Sequence, residues 1–260
     1  MDIAQESLRL HEEWQGKLDT VPKMEIKTRE DLALAYTPGV AEPCKKIAAD
    51  PALAYTYTQK ANTIAVVSDG SAVLGLGNIG PLAAMPVMEG KCALFKAFGN
   101  VNAVPICLDT QDVDEIVETV KRLAPAFGGI NLEDISAPRC FEIENRLIDE
   151  LDIPVFHDDQ HGTAIVVLSG VINALRLTGK KKEECRVIVN GAGSAGIAIA
   201  KLLLNYGFRN LILCDKCGII NSRSEGINEA QRAMLATTNL NDEEGTLADA
   251  MRGADIFVGV

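Results

Sequence analysis

The amino-acid sequence predicts an α/β protein in which helices connect parallel strands. Two observations support this fold class. Short runs of aliphatic and β-branched residues recur from Thr63 onward and are typical of buried strands. Segments with apolar residues at helical spacing separate the later runs. Such alternation favours a parallel sheet, because a crossover helix is needed to bring the chain back in the same direction.

The first sixty residues show little periodicity, and four strands are predicted after them. The segments are TIAVVSD (63–69), NAVPICLD (102–109), GINLED (129–134) and IPVFHDD (153–159). Each ends in acidic residues: Asp69, Asp109, Glu133 with Asp134, and Asp158 with Asp159. Ligands of open parallel sheets bind outside the carboxyl ends of the strands, so these carboxylates are expected to converge on one edge. For Asp69 and Asp109 a helix cap or turn is favoured instead.

Three helices are predicted between and after these strands. Residues 136–151 form one, with Pro138 near its start, where proline is tolerated. Residues 163–179 form a long one that closes at Gly179. The third helix follows the second strand, and its apolar residues share one face: Val113, Ile116, Val117, Val120 and Leu123.

A second α/β segment begins at Cys185. CRVIVN (185–190) and NLILCD (210–215) are predicted strands, with a helix between them. The polar stretch 221–241 is predicted to connect to a short helix at 247–251 and a last strand at 254–260. This segment therefore holds three predicted strands, where a complete doubly wound domain has six, so an incomplete domain is expected.

Composition excludes several classes of protein. The chain has 260 residues, 47% hydrophobic and 23% charged, which is ordinary globular usage. Its net charge of −11 disfavours nucleic acid as a ligand. The longest apolar stretch, 164–172, is too short to span a bilayer, and the charged N-terminus does not resemble a secretory signal. Seven scattered cysteines favour reduced thiols and a cytoplasmic protein.

A glycine-rich loop, GAGSAG, predicts a dinucleotide site. It directly follows the strand RVIV and opens a helix, which is the required context. An acidic residue at the end of the next strand is placed to bind the adenosine ribose, and the pyrophosphate is expected at the helix N-terminus. NAD is favoured, but Lys216 leaves NADP open. The predicted cofactor-binding residues are Gly191, Gly193, Ser194, Ala195, Gly196 and Asp215.

The same GxGxxG pattern occurs earlier, in GLGNIG (75–80). This copy lacks a suitably placed acidic residue and is followed by Pro81, which fits a helix start. We therefore interpret this loop as backbone that passes close to a ligand, and not as a second dinucleotide site.

Several segments together resemble the malic enzyme family, specifically its short bacterial-type form. They are AYTPGVAEPC (35–44), SDGSAVLGLGNIGP (68–81), MEGKCALFKAFGNVNAVP (88–105), INLEDISAP (130–138), FHDDQHGTA (156–164) and the GAGSAG loop. The resemblance implies a malic-enzyme N-terminal catalytic domain at 1–157. A Rossmann-like NAD(P)-binding domain follows at 158–260, apparently truncated at its C-terminus.

The resemblance also implies an activity: oxidative decarboxylation of L-malate to pyruvate and CO₂ by a homodimer, with NAD or NADP reduced. Tyr36 of YTPGVA matches the family's general acid, and Lys91 of EGK matches its general base. The metal ligands for Mg²⁺ or Mn²⁺ are Glu133, Asp134 and Asp159, with Asp158 as their neighbour.

The chemistry needs such groups. Hydride leaves C2 of malate only if the hydroxyl proton also leaves, which suits Lys91 if its pKa is lowered. Decarboxylation builds an enolate, whose charge a divalent metal on carboxylate oxygens stabilises as a Lewis acid. A proton must then reach C3, and Tyr36 is able to give it.

One position departs from the larger family members, which carry an arginine for the substrate carboxylate where this chain has Ala72 beside Ser71. Alternative functions stay open: malolactic chemistry with retained NAD, a non-catalytic binding module, or another Rossmann dehydrogenase. HDDQH (157–161) also resembles the HExxH motif of zinc proteases. That motif lies inside a helix. Here His157 is expected to end a strand, and Gly162 directly follows His161, so a helix is not expected across these residues.

Overall fold

The computed structural model describes residues 2–260, which divide into two compact units. Unit 1 comprises the chain up to Asp134 together with Arg146–Val155. Unit 2 comprises Ile135–Asn145 together with Phe156–Val260. The domain boundary expected from the sequence, between residues 157 and 158, stays a prediction.

Unit 1 begins with four helices that the sequence analysis did not predict. None of them contains a buried residue in the single chain, and the first two begin at side-chain caps. Asp2 accepts a hydrogen bond from the backbone N–H of Ala4, and Thr28 forms a capping box with Asp31. The helices are α1 (Ile3–Trp14), α2 (Arg29–Ala35), α3 (Ala41–Ala49) and α4 (Ala54–Tyr57).

The first sheet has four strands in the order β2-β1-β3-β4. β1 pairs in parallel with both β2 and β3, which confirms the predicted parallel sheet. The central strands β1 and β3 are almost entirely buried, as continuous apolar runs predict. All four strands of the sheet lie within the predicted segments. They are β1 (Thr63–Ser68), β2 (Asn102–Cys107), β3 (Gly129–Leu132) and β4 (Val155–His157).

Three helices accompany this sheet: α5 (Gly80–Gly99), α6 (Val113–Leu123) and α7 (Arg139–Glu150). α6 buries Ile116, Val117 and Val120, so its predicted apolar face is confirmed. Its N-cap is Asp112, which accepts from the backbone N–H of Glu115. Asp112 and not Asp109 therefore caps this helix, and the alternative prediction of a turn at Asp109 stays a prediction.

Unit 2 contains a second four-stranded sheet, ordered β7-β6-β5-β8. β5 pairs in parallel with β6 and β8, whereas the short β7 is antiparallel to β6. The prediction of three strands missed β7, and α10 lies in the stretch interpreted as a connection. The elements are α8 (Asp158–Thr178), β5 (Arg186–Asn190), α9 (Ser194–Tyr206), β6 (Asn210–Asp215), β7 (Gly218–Ile219), α10 (Glu229–Met234), α11 (Leu247–Ala250) and β8 (Ile256–Gly259).

Helix α8 starts five residues earlier than predicted, and it packs against α9. Within residues 2–260 it is the one helix long and apolar enough, by length and composition alone, to cross a membrane. A core helix of a soluble protein meets the same criterion. The expectation that the chain does not span a membrane stays a prediction.

Candidate active site

An ion pair joins the half-buried Lys91 to the buried Glu133 in unit 1. Lys91 lies in the middle of α5, and its Nζ is 2.9 Å from Oε1 of Glu133. Glu133 directly follows β3, and its side chain is 6% exposed. Asn131 of β3 donates from Nδ2 to the other carboxylate oxygen of Glu133, at 2.8 Å. Both oxygens are thus held, and a buried charge of this kind is stable only with such partners.

Asp134 continues the chain after Glu133 in a strained conformation. It is buried and has a φ of +53°, in the left-handed region that non-glycine residues seldom adopt. Its carbonyl accepts a hydrogen bond from the backbone N–H of Ala72, at 2.9 Å. Backbone strain of this kind costs about 1–3 kcal/mol and clusters at functional sites.

The loop after β1 is fixed by Asp69. Its Oδ1 accepts from the backbone N–H of Ser71 at 3.0 Å and from the Ser71 hydroxyl at 2.5 Å. The prediction that Asp69 stabilises a turn is therefore confirmed. In the glycine-rich loop that follows, Gly75, Gly77 and Gly80 all have positive φ, which explains the glycines by backbone conformation. Proximity of this loop to a ligand stays a prediction.

Tyr36 lies at the C-terminal end of α2. Its backbone N–H donates to the carbonyl of Leu32 and its own carbonyl accepts from the N–H of Val40. The residue is 67% exposed in the single chain. Its backbone is therefore fixed by the helix end, while its phenol is accessible to a reacting molecule or to another chain.

In unit 2, Asp159 lies in the first turn of α8. Asp158 and Asp159 are the first two helical residues, where negative charge is stabilised by the positive end of the helix dipole. Both are half-buried. Oδ2 of Asp159 is 3.8 Å from Nε2 of the buried His157. Burial lowers the pKa of His157, which favours its neutral form.

Glu144 of α7 contacts the same turn, and the sequence analysis did not identify it. Its Oε1 accepts from the backbone N–H of His157 at 2.7 Å and lies 2.9 Å from Nε2 of His161. Hydrogen bonding to Glu144 raises the pKa of His161. The expectation that His161 lies outside a helix is wrong, since α8 already begins at Asp158. His161 is engaged by a carboxylate, which does not match a zinc-protease helix.

The second glycine-rich loop connects β5 to α9 as predicted. Gly191 has a φ of +109°, and a Cβ on Gly196 would lie 1.7 Å from the carbonyl oxygen of Gly191. Gly193 is the N-cap of α9, where it has no side chain to accept a hydrogen bond from the first turn. A Cβ at this position would meet no atom within 4 Å. The helix therefore presents its first N–H groups to an open space, which suits a phosphate.

Asp215 ends β6, and its carboxylate is held by two hydrogen bonds. Gln231 of α10 donates from Nε2 to Oδ2 at 2.8 Å, and the backbone N–H of Lys216 donates to Oδ1 at 2.7 Å. Gln231 also donates to the carbonyl of Ala192 in the glycine-rich loop, at 2.9 Å. Sequence reasoning missed Gln231, which ties the loop to the predicted ribose-binding acid.

Comparison with known families matches both parts of the chain. The family model described as "Malic enzyme, N-terminal domain" matches residues 15–148, and "Malic enzyme, NAD binding domain" matches residues 160–259. The chain belongs to the malic enzyme family. The resemblance of its motifs, the α/β fold class and the Rossmann-like second sheet are thereby confirmed.

Among curated malic enzymes, the bifunctional malic/malolactic enzyme of Bacillus subtilis is 56% identical over 100% of this chain and 64% of its own length. The NAD-dependent malic enzyme of Geobacillus stearothermophilus is 58% identical over 94% of this chain and 51% of its own length. The chain thus spans between about a third and two thirds of the length of the curated relatives it matches.

Solved malic enzymes share the fold. The NAD-dependent malic enzyme of Thermotoga maritima is 52% identical, with a TM-score of 0.95 over 98% of this chain and 68% of that one. The malic enzyme of Pyrococcus horikoshii is 46% identical, with a TM-score of 0.93 over 99% of this chain and 62% of that one. Similarity at this level makes the fold of this chain that of a malic enzyme.

Proposed function

We propose that the chain contributes the active site of an enzyme that oxidises and decarboxylates L-malate to pyruvate and CO₂ with NAD or NADP. The observation that carries the proposal is the ion pair between Lys91 and Glu133. It places an amine beside a buried carboxylate, where a proton acceptor and a metal ligand are both required. Family membership and the NAD-binding domain support the same reaction.

Three carboxylates form the proposed metal site: Glu133, Asp134 and Asp159. Glu133 and Asp134 are buried and Asp159 is half-buried. Glu133 and Asp134 follow the end of β3, and Asp159 follows the end of β4. An all-oxygen ligand set fits Mg²⁺ or Mn²⁺ and does not favour zinc. Such a cation, when bound, supplies Lewis-acid stabilisation of the negative charge that develops on the C2 oxygen.

Lys91 and Tyr36 carry the proton transfers in this proposal. Lys91 accepts the proton of the C2 hydroxyl as hydride leaves C2 for the nicotinamide. After CO₂ has left, Tyr36 gives a proton to C3 to complete pyruvate. Glu133 keeps the amine of Lys91 in place through the 2.9 Å contact.

The proposed cofactor site uses Gly191, Gly193, Ser194, Ala195, Gly196 and Asp215. The open N-terminus of α9 supports binding of the pyrophosphate there. The fixed carboxylate of Asp215 is a suitable acceptor for ribose hydroxyls. Both NAD-dependent and NADP-dependent malic enzymes are among the relatives, so the choice between NAD and NADP is left to the assay.

We further propose a cytoplasmic homodimer that binds neither nucleic acid nor membrane, with a catalytic domain at 1–157 and a cofactor domain at 158–260. Large apolar side chains of the N-terminal helices are exposed in the single chain, which supports burial against a second copy. Examples are Ile3 (82% exposed), Leu8 (74%), Trp14 (51%) and Leu34 (71%).

The first test follows reduced cofactor and pyruvate together, with L-malate, Mn²⁺ and either NAD or NADP. Stoichiometric formation of both products is expected. Lys91→Met should abolish turnover, whereas Lys96→Met, an exposed lysine on the same helix, should leave it unchanged. A Lys91→Met variant with the wild-type rate would refute the proposed base. A folded chain that binds Mn²⁺ without turnover would show that this part of the enzyme is insufficient for the reaction.

A second candidate is malolactic conversion, in which NAD stays bound and lactate is released. It is favoured by one observation: the Bacillus subtilis relative is named a bifunctional malic/malolactic enzyme. The same assay distinguishes the two reactions. Lactate without accumulation of reduced cofactor indicates malolactic chemistry, whereas pyruvate with equimolar reduced cofactor indicates oxidative decarboxylation.

A further inference from the structure

Helix α8 begins without a side-chain cap of its own. Its N-cap residue, His157, makes no side-chain hydrogen bond to the first turn. Helices normally begin with Ser, Thr, Asp or Asn at this position, because the side-chain oxygen satisfies an otherwise unpaired N–H. The third helical residue, Gln160, is able to accept from the N-cap N–H in a capping box, but its amide donates to Glu144 instead.

Glu144 of α7 takes the place of Gln160 as the acceptor for the N-cap N–H. Oε1 accepts from the backbone N–H of His157 at 2.7 Å and lies 2.9 Å from Nε2 of His161. Oε2 accepts from Nε2 of Gln160 at 3.1 Å. These three partners stand at the N-cap and at the third and fourth helical residues, so a single carboxylate fixes the whole turn.

The position of Glu144 is itself costly. The residue is 4% exposed, and a buried carboxylate is stable only when hydrogen bonds and positive charge compensate for lost hydration. Its three donors and the positive end of the α8 dipole provide that compensation. An alternative side chain of similar volume, such as leucine, would pack here without this requirement. Glu144 is therefore held firmly by the turn, and its contacts hold the turn in place as well.

Asp159 is the second residue of α8. In the sequence it lies between His157 and Gln160, both of which hydrogen-bond to Glu144. We propose that Glu144 is a positioning residue that orients the carboxylate of Asp159 toward the divalent cation. The inference rests on the proposed function of Asp159 as a metal ligand. Groups that orient metal ligands typically change metal affinity by about 10-fold to 100-fold when they are replaced.

The test is titration of the 260-residue chain with Mn²⁺ alone. The electron paramagnetic resonance signal of the free ion measures how much Mn²⁺ is bound. Glu144→Gln is expected to raise the dissociation constant for Mn²⁺ by about 10-fold or more. Asp149→Asn removes an exposed carboxylate from the same helix and should have no effect. NAD affinity, measured in parallel, should not change in Glu144→Gln, because the glycine-rich loop is held by β5 and α9.

A double-mutant cycle separates positioning from general loss of stability. If Glu144 acts through Asp159, Glu144→Gln should weaken Mn²⁺ binding in the wild-type background and have no further effect beside Asp159→Asn. Equal losses in both backgrounds would show that Glu144 does not act through Asp159 and would overturn the inference. Wild-type Mn²⁺ affinity in Glu144→Gln would overturn it as well.

Failure of the metal site itself is recognised separately. If Asp159→Asn binds Mn²⁺ as the wild type does, the proposed metal site is wrong and the role of Glu144 falls with it. If Glu144→Gln does not fold, Gln160→Met replaces it. That variant removes one of the three contacts of Glu144 and should raise the Mn²⁺ dissociation constant to a smaller extent, and an unchanged constant would contradict the inference.

Discussion

Replacement of Gln231 by leucine tests how the cofactor domain is held together. The side chain is buried, and its two polar atoms, Nε2 and Oε1, make three hydrogen bonds. Nε2 donates to Asp215 and to the carbonyl of Ala192, and Oε1 accepts from the backbone N–H of Asn228. Gln231→Leu removes all three bonds while it keeps a side chain of comparable volume.

The expected loss of stability is worked from these bonds. A hydrogen bond to a charged group contributes about 1.5–3 kcal/mol, and each neutral bond about 0.5–1.5 kcal/mol. Asp215 is half-buried, so water replaces part of its lost bond. The buried carbonyl of Ala192 loses its donor without replacement. Burial of the leucine offsets about 1 kcal/mol, which leaves a net loss of roughly 2–4 kcal/mol in the free energy of unfolding.

Cofactor affinity should fall as well, because the carboxylate of Asp215 loses the group that orients it. We expect a roughly tenfold weaker affinity for NAD, which corresponds to about 1.4 kcal/mol. Urea unfolding measures the stability, and calorimetric titration measures the affinity. Arg232→Leu, at an exposed position in the same helix, is the matched control. If Gln231→Leu matches this control in both measurements, the three bonds do not have the role derived for them.

Three other predictions concern the cofactor loop, an ion pair and the thiols. Gly193→Ala should fold normally and lose NAD affinity. Gly196→Ala should lose both stability and NAD affinity, since its Cβ would lie 1.7 Å from a carbonyl oxygen. Equal melting temperatures of the two variants would contradict this prediction. The Arg186 guanidinium lowers the pKa of Glu243, so the pair stabilises the fold above the ordinary glutamate pKa and this contribution is lost as pH falls through the lowered value. Glu243→Gln should therefore cost about 1 kcal/mol at pH 7 and nothing in acid, as measured by urea unfolding at both pH values. A thiol reagent should modify the two exposed cysteines well before the buried ones, which peptide mapping will identify: Cys44 and Cys217.

The strands of both sheets were the most predictable part of the fold. β1 and β5 lie between two neighbours and read as continuous apolar runs, which leave few alternative structures. The helices of the first sixty residues were missed because their sequence shows little apolar periodicity, and none of them contains a buried residue in the single chain. β7 and α10 were missed for a related reason. They are short, and polar contacts such as that from Asn239 Nδ2 to the Ile220 carbonyl hold this region.

The start of α8 illustrates how a local rule gave the wrong boundary. Asp158, Asp159 and Gly162 are poor helix formers, so the helical pattern was recognised only after them. Acidic residues are nevertheless stabilising in a first turn, and Glu144 of α7 accepts from the backbone N–H of the N-cap residue, His157. A contact from another helix therefore decided where α8 begins, and no feature within the segment itself encodes that contact.

The residues of the candidate site also differ in how far the sequence predicts them. Residues that belong to short motifs, such as Lys91 and Asp159, were recognisable because neighbours in the sequence accompany them. Glu144 belongs to no such motif, but its position in α7 carries a signal. Cys140, Ile143 and Leu147 are buried, and residue 144 lies on the same helical face, at a place where the periodicity calls for an apolar side chain. A carboxylate at such a place must find donors in the folded protein, because its burial is otherwise unfavourable. An acidic residue on the apolar face of a predicted helix therefore indicates, from the sequence alone, that the folded chain contains a buried polar network.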